Sequence, residues 1–389
     1  MVAVLIKRFG IEHMQAAEDL VSETFLVAAE TWGIKGIPPN PAAWLYAVAR
    51  QKALYQLRRN KIFEQKVIPG IKVIQEQSEL LDFSPGYIKD SQLAMLFAIC
   101  DPSIASEAQI GLALRILCGF GIDEIAEAFL TNKENINKRL FRARERLRAA
   151  KVAMEMPAAR GIEKRLDNVL HIIYLLFNEG YYSKTQNEIL RKDLCLEAMR
   201  LGLLLTEYKA TNRPKTNALI ALMCFHASRF EAREGHVLYA QQDESLWDKD
   251  LIKQGLHYLD LSFQGEEISS YHLEARIASL HIQKEDTTEK WKAILEAYDQ
   301  LQLINYSPAV ALNRIFALYK VAGPGRALPQ ALKLGLESNH FYELLLGELY
   351  SHSDKNKALL HFKKAQALSK TQAEKQGIQD KIDYMLSDR

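Results

Sequence analysis

Between Lys133 and Lys151 the chain sets eight basic residues (Lys133, Lys138, Arg139, Arg142, Arg144, Arg146, Arg148 and Lys151) against two acidic ones, Glu134 and Glu145. That is a local charge of +6 in a 389-residue protein whose net charge is +2. The rest of the chain is therefore slightly acidic, and the positive charge is concentrated, as a localised polyanion contact requires. Asn135 and Asn137 stand among the cations. Side-chain amides match adenine edges, and arginines match guanine edges or phosphates, so the segment has the residue types for duplex DNA.

These side chains need a helix to present them. Ile122 to Leu130 reads as a short amphipathic helix, Thr131-Asn132 as a turn with capping side chains, and Lys133 to Arg148 as a longer helix. The longer helix has an apolar stripe at Ile136, Leu140, Ala143 and Leu147, expected to pack on Ile125, Ala126 and Phe129. Ala126 is small where the two helices of a helix-turn-helix cross. With the stripe inward, Lys133, Asn135, Asn137, Lys138, Arg139 and Arg142 face a major groove, and Arg144, Arg146 and Arg148 reach backbone phosphates. Leu130 occupies the turn position where glycine is common. The competing structural reading is a solvated basic helix in a bundle.

The remainder also reads as helix, and no sheet is expected: the fold class is all-α. Residues 1–60 hold three or four helical stretches. One is Ala17 to Thr31, with Leu20, Phe25, Leu26 and Ala29 inward. Another is Ala42 to Arg59, started by an Asn40 cap and Pro41. Residues 61–89 read as a linker punctuated by Pro69-Gly70 and Ser84-Pro85-Gly86, and 90–152 as a second helical domain. After Pro157 and Gly161, residues 160–389 read as a helical, solenoid-like domain. There Leu346-Gly347-x-x-Tyr350 and Ala358-x-x-x-Phe362-x-x-Ala365 form a tetratricopeptide-like repeat, with a weaker copy over 307–336.

Other chemistry finds little support. Cys100, Cys118, Cys195 and Cys224 are widely spaced and read as free thiols. The histidines lack ligand spacing, and no Gly-rich phosphate loop is present. No catalytic residue, metal site or cofactor is expected. Glu179 is either a carboxylate available for catalysis or part of a helix end with Gly180 just beyond it. The Gln242 to Asp248 cluster either binds a ligand or anchors a loop through Trp247, with Asp243 or Ser245 as a cap. No apolar run is long enough for a spanning helix, and no secretory signal begins the chain, so a cytoplasmic location without membrane contact is expected.

At this point two separated segments resemble the extracytoplasmic-function sigma factors of bacterial RNA polymerase. Ala17 to Ala29 looks like the polymerase-binding helix of region 2. Asn40-Pro-Ala-Ala-Trp-Leu-Tyr-Ala-Val-Ala-Arg50, continuing to Arg59, looks like the helix that melts and reads the −10 element. Ile122 to Arg148 looks like region 4, which reads the −35 element. The whole chain is similar to a subgroup with a C-terminal tetratricopeptide-like extension, through Leu175 to Tyr181, Leu194 to Leu201 and Gln242 to Asp248. The resemblance implies that Asp19, Glu23 and Phe25 face the polymerase, with Glu18 in the same acidic face, although Phe25 could equally be core. It implies that Trp44, Arg50, Lys52, Arg58 and Arg59 contact the −10 region, with Trp44 either stacking on a base or buried. Gln51 and Tyr55 replace the usual Asn and Asp, and Cys100-Asp101-Pro102 lacks the histidine that often follows the cysteine. Relatives usually carry further residues ahead of the stretch matching Val4 to Phe9. Either the start lies upstream or region 2 is shortened.

The function expected is an alternative sigma factor, not an enzyme. Its partners would be core RNA polymerase, promoter DNA and a protein regulator on the solenoid. The alternative is a DNA-binding adaptor without sigma activity whose solenoid binds protein or ligand.

Overall fold

A computed structural model describes residues 1–67, 82–182, 188–236, 242–283, 285–369 and 372–387, with side chains at 56–67, 188–190, 234–236 and 372–373 outside the description. The described residues form an all-α fold without strands. They divide into two compact units, Met1–Asn212 and Arg213–Arg389.

In the first unit the central element is α4 (Pro85–Ile99). Every residue from Leu93 to Cys100 is buried. A helix apolar on all sides has to be surrounded, and α1 (Val2–Phe9), α5 (Ser106–Ala113), α8 (Ala159–Tyr181) and α9 (Glu188–Thr206) pack around it. Helix α1 buries Ala3, Val4, Leu5 and Ile6. Helices α2 (Met14–Lys35) and α3 (Pro41–Val67) pair with each other. Asn40 caps α3 as expected, accepting from the Ala43 amide at 3.0 Å. A π-helical turn, Leu114–Cys118, ends at Gly119 and leads to α6 (Ile122–Ala128) and α7 (Lys133–Ala149).

Three expectations change. Helix α3 runs to Val67 and α4 starts at Pro85, so the stretch between helices is shorter than 61–89; Pro69-Gly70 lies outside the described residues. The inward face of α2 is Ala17, Leu20, Val21, Thr24 and Ala28, whereas Phe25, Leu26 and Ala29 are exposed. Finally, Pro157 and Gly161 do not open a separate unit. Asn168 donates to the Cys100 carbonyl at 2.6 Å, Arg165 pairs with Asp101 at 3.3 Å, and Arg200 donates to the Leu117 carbonyl at 3.0 Å. These contacts place α8 and α9 in the N-terminal unit.

Gly180 is not just past the helix end but within the last turn of α8, which runs to Tyr181. It lies inside α8, buried, where a β-carbon would stand 2.6 Å from the Arg191 carbonyl oxygen and 2.7 Å from Cys195 Sγ. Glycine here lets α8 and α9 cross closely.

The second unit is a succession of helices, each packed on its chain neighbours: α10 (Pro214–Ala227), α11 (Lys249–Ser262), α12 (Ser270–Leu280), α13 (Thr288–Ile304), α14 (Pro308–Ala322), α15 (Pro324–Leu332), α16 (His340–Tyr350), α17 (Lys355–Leu368) and α18 (Gln372–Ser387). Asp248, Thr287, Ser307, Asn339 and Asp354 cap α11, α13, α14, α16 and α17 through their side chains. Each such cap is worth about 1 kcal/mol. Trp247 is buried with Ala232 and Ile252, and Asp243 caps only a short turn. The Gln242 to Asp248 cluster therefore anchors a loop and starts α11. Of the residues read as a repeat, Ala358, Phe362 and Ala365 are buried, and Gly347 lies against the Phe362 ring.

All four cysteines are free thiols. Burial pushes Cys224 up to about 12 and raises Cys100 and Cys118 as well.

Candidate nucleic-acid and polymerase surfaces

Helix α7 is built by its stripe and its cap. Ile136, Leu140, Ala143 and Leu147 are buried, as are Ile125 and Ala126 opposite them on α6. Asn132 accepts from the Asn135 amide at 2.8 Å. The connection closes with Leu130 at φ 48°, the left-handed conformation that glycine takes most cheaply. The leucine therefore carries local strain at this turn. The Thr131 amide donates to the Ala126 carbonyl at 2.9 Å and finishes α6.

The outward face of α7 holds Lys133, Asn135, Asn137, Lys138, Arg142 and Arg146, all exposed as expected. It also holds Phe141, which is 62% exposed and escaped the sequence reading. Its signal was available, since Phe141 is an apolar residue off the 4-3-4 stripe. Asn135 Nδ2 donates to Thr131 Oγ1 at 3.2 Å, so its amide is partly engaged at the turn. Lys133 pairs with Asp123 at 2.6 Å.

Two expected DNA contacts face inward instead. Arg144, with a side chain 15% exposed, donates from Nη2 to both oxygens of Glu18 at 2.7 and 2.9 Å. Glu18 is itself buried, so it does not belong to the exposed acidic face of α2. Arg139 is 28% exposed; it pairs with Glu107 at 3.0 Å and lies over the Phe129 ring, 5.2 Å from the centroid. The reason lies in helix geometry. Residues 139, 143 and 147 recur four apart, and 140 and 144 do likewise, so both arginines flank the buried stripe.

Magnitudes separate these pairs. Lys133–Asp123 is exposed and worth at most about 1 kcal/mol, so it yields readily to a phosphate. Removing one partner of a buried pair such as Glu18–Arg144 costs about 3–5 kcal/mol. Lys133 is therefore available to a ligand and Arg144, in this conformation, is not.

On α2 and α3, Asp19 and Glu23 are exposed, and Phe25 is 50% exposed beside exposed Leu26. Phe25 is thus no core residue. Lys52 on α3 pairs with Glu23 on α2 at 2.9 Å in an exposed bridge, which brings one residue from each expected binding set together. Trp44 is half-buried against Trp32, ring centroids 5.4 Å apart, so burial takes up one side of the indole. Arg50 is exposed and lines an open cleft of about 880 Å³ with Lys7 and Arg8. Glu12, Asp82 and Glu155 line it too, which balances its charge. The side chains of Arg58 and Arg59 lie outside the described residues.

Glu179 is half-buried on α8, and its carboxyl is pushed up from the ordinary range, first by burial and then by the charge of Glu107. In the second unit a buried carboxylate, Glu343, contacts His361 at 2.6 Å and ties α16 to α17. No helix of the described residues is long and apolar enough to cross a membrane.

Residues 2–62, which hold α1, α2 and most of α3, match sigma-70 region 2. This segment supports a sigma-factor-like role in transcription initiation, and it implies core RNA polymerase and promoter DNA as partners. The chain belongs to one family with the uncharacterized protein R00370 of Rhizobium meliloti (strain 1021), to which it is 33% identical over 390 residues, 97% of this chain and 91% of that protein. Residues 165–263, from α8 to α11, match a family of unknown function, DUF6596. No solved structure matches the chain.

Proposed function

We propose that the protein is an alternative sigma factor of the extracytoplasmic-function class, in the subgroup with a tetratricopeptide-like C-terminal extension. Region 2 docks on core polymerase through Asp19, Glu23 and Phe25, an acidic surface with an exposed aromatic anchor. Trp44, Arg50, Lys52, Arg58 and Arg59 serve the −10 element, where extruded bases need a stacking face and the backbone needs cations. Helices α6 and α7 act as the region 4 helix-turn-helix on the −35 element. Lys133, Asn135, Asn137, Lys138, Arg142 and Arg146 are its direct contacts. The protein works in the cytoplasm, takes no cofactor or metal and performs no covalent chemistry of its own. Its C-terminal helices receive a protein regulator, a role supported by the helix pairs α14–α15 and α16–α17 with their small-residue crossings.

The observation that carries the reading is the outer face of α7, where exposed amides and cations stand over a fully buried apolar stripe. The test is transcription in vitro from genomic promoter fragments with purified core enzyme. Initiation at promoters that core enzyme ignores is expected. Duplex binding without any initiation would favour the adaptor reading.

A further inference from the structure

We propose that the second unit associates head to tail with a second copy of this chain, an acidic apolar face at the end of α11 in one copy taking a basic apolar face of α17 in the other. The pairing is a property of the second unit and stands apart from how α7 meets DNA.

From Gln254 to Ala275 the chain has four carboxylates (Asp260, Glu266, Glu267 and Glu274) and no lysine or arginine. Three large apolar residues stand exposed in the same stretch: Leu256 on α11, Phe263 at its end and Ile268 in the connection to α12. Leu256 and Phe263 are two helical turns apart, so they share one edge of α11. Glu267 pairs with Lys215 at 3.6 Å. Asp260 and Glu266 are exposed and make no ion pair among the described residues.

Helix α17 is the counterpart. Between Lys355 and Leu368 it has four lysines (Lys355, Lys357, Lys363 and Lys364) and no carboxylate. Its buried stripe is Ala358, Phe362 and Ala365. Leu360, Lys363, Lys364 and Ala367 turn away from that stripe and are exposed, with Leu368 exposed at the helix end. Lys357 is engaged by Asp354 and by the Tyr350 ring. Lys363 and Lys364 make no ion pair among the described residues.

Apolar side chains that are grouped on a surface and rimmed by polar ones mark interaction sites, whereas single ones do not. The two faces complement each other, one negative and one positive, each with apolar residues among its charges. One chain does not pair them: α11 is among the first helices of the row and α17 among the last, each packed on its chain neighbours, and both faces are exposed. A second copy supplies the missing partner of each. Contact between two different patches allows a closed pair or ring, or an open row of copies.

The experiment is sedimentation velocity on the full-length protein over a concentration series, at about 0.1 M and about 1 M salt, between which the screening length falls from roughly 10 to roughly 3 Å. Wild type is expected to pass from monomer to assemblies as concentration rises, and to do so less at the higher salt. Lys363→Glu/Lys364→Glu makes both faces negative, and Asp260→Lys/Glu266→Lys makes both positive. All four side chains are exposed, so the fold should tolerate these changes. Each double variant is expected to associate at least about tenfold more weakly than wild type, because like charges then meet. The chain carrying all four reversals has opposite signs again and is expected to regain association. A wild type still monomeric at about 0.1 mM and the lower salt would overturn the proposal and leave the two faces to separate partners. Double variants that associate as wild type does, or a fourfold variant that stays monomeric, would overturn it as well.

Discussion

Gly347 on α16 faces Phe362 on α17 so closely that a β-carbon on the glycine would stand 2.5 Å from the phenyl ring. Phe362 is buried in one cluster with Ala358, Ala365, Ile378 and Ile382, so the ring can give way only by disturbing packed neighbours. Gly347→Ala is expected to destabilise the C-terminal unit by about 1–3 kcal/mol through overpacking. Phe362→Ala should cost about 3–5 kcal/mol. The two losses should not add, because the smaller side chain vacates the space that the new methyl needs. Urea unfolding of the two single variants and the double variant checks this. Strict additivity would mean that the pair is not in contact.

The turn before α7 offers a gain instead of a loss. Leu130 holds φ 48° with an exposed side chain, so it bears the left-handed strain and gains little from burial. Leu130→Gly is expected to stabilise the N-terminal unit by roughly 0.5–1 kcal/mol, the strain relieved less the entropy of a glycine. Leu130→Val should do the reverse, since a β-branched residue tolerates this conformation worst. Scanning calorimetry reads both signs. A lower melting temperature for the glycine variant would show that the turn depends on the leucine.

The second unit carries a built-in acid sensitivity. His226 is lowered to about 3 by burial, then by Arg229, Arg233 and His281. His281 is lowered to about 4 by burial, then by Lys290 and Arg229. Both values lie below 6.5, so the unfolded chain binds protons first as pH falls. Stability from these groups is complete above about pH 6.5 and is lost progressively as pH drops toward 3–4. Hydrogen exchange in α10 and α12 should therefore quicken between pH 7 and 5, after correction for the intrinsic rate. His226→Gln should flatten much of that trend. A wild-type profile that is already flat would contradict the assignment.

How far the sequence was legible depended on whether a feature is local. The stripe of α7, the Asn40 and Asn132 caps and the small-residue crossing at Gly347 repeat at helical spacing or sit at fixed offsets, so they could be read directly. The inward face of α2 could not. Apolar residues lie on both sides of that helix, and its buried set includes Glu18 and Thr24, the latter bonding its own backbone at Leu20. Arg144 and Arg139 were read outward because their partners, Glu18 and Glu107, are far away in the chain and leave no mark in any local pattern. The same holds for α8 and α9, whose attachment to the first unit runs through Cys100, Asp101 and Leu117. Pro157 and Gly161 mark only where α7 gives way to α8.

The most direct measurement of the central claim is run-off transcription with core RNA polymerase, comparing wild type with Lys138→Glu/Arg142→Glu on α7 and with Phe25→Asp on α2. All three substituted side chains are exposed, so little effect on folding is expected. The account predicts promoter-dependent transcripts with wild type and none with either variant. Polymerase should still co-purify with the α7 variant and should be lost with Phe25→Asp. Transcripts that survive charge reversal on α7, or equal loss of polymerase from both variants, would contradict the division of labour between the two surfaces.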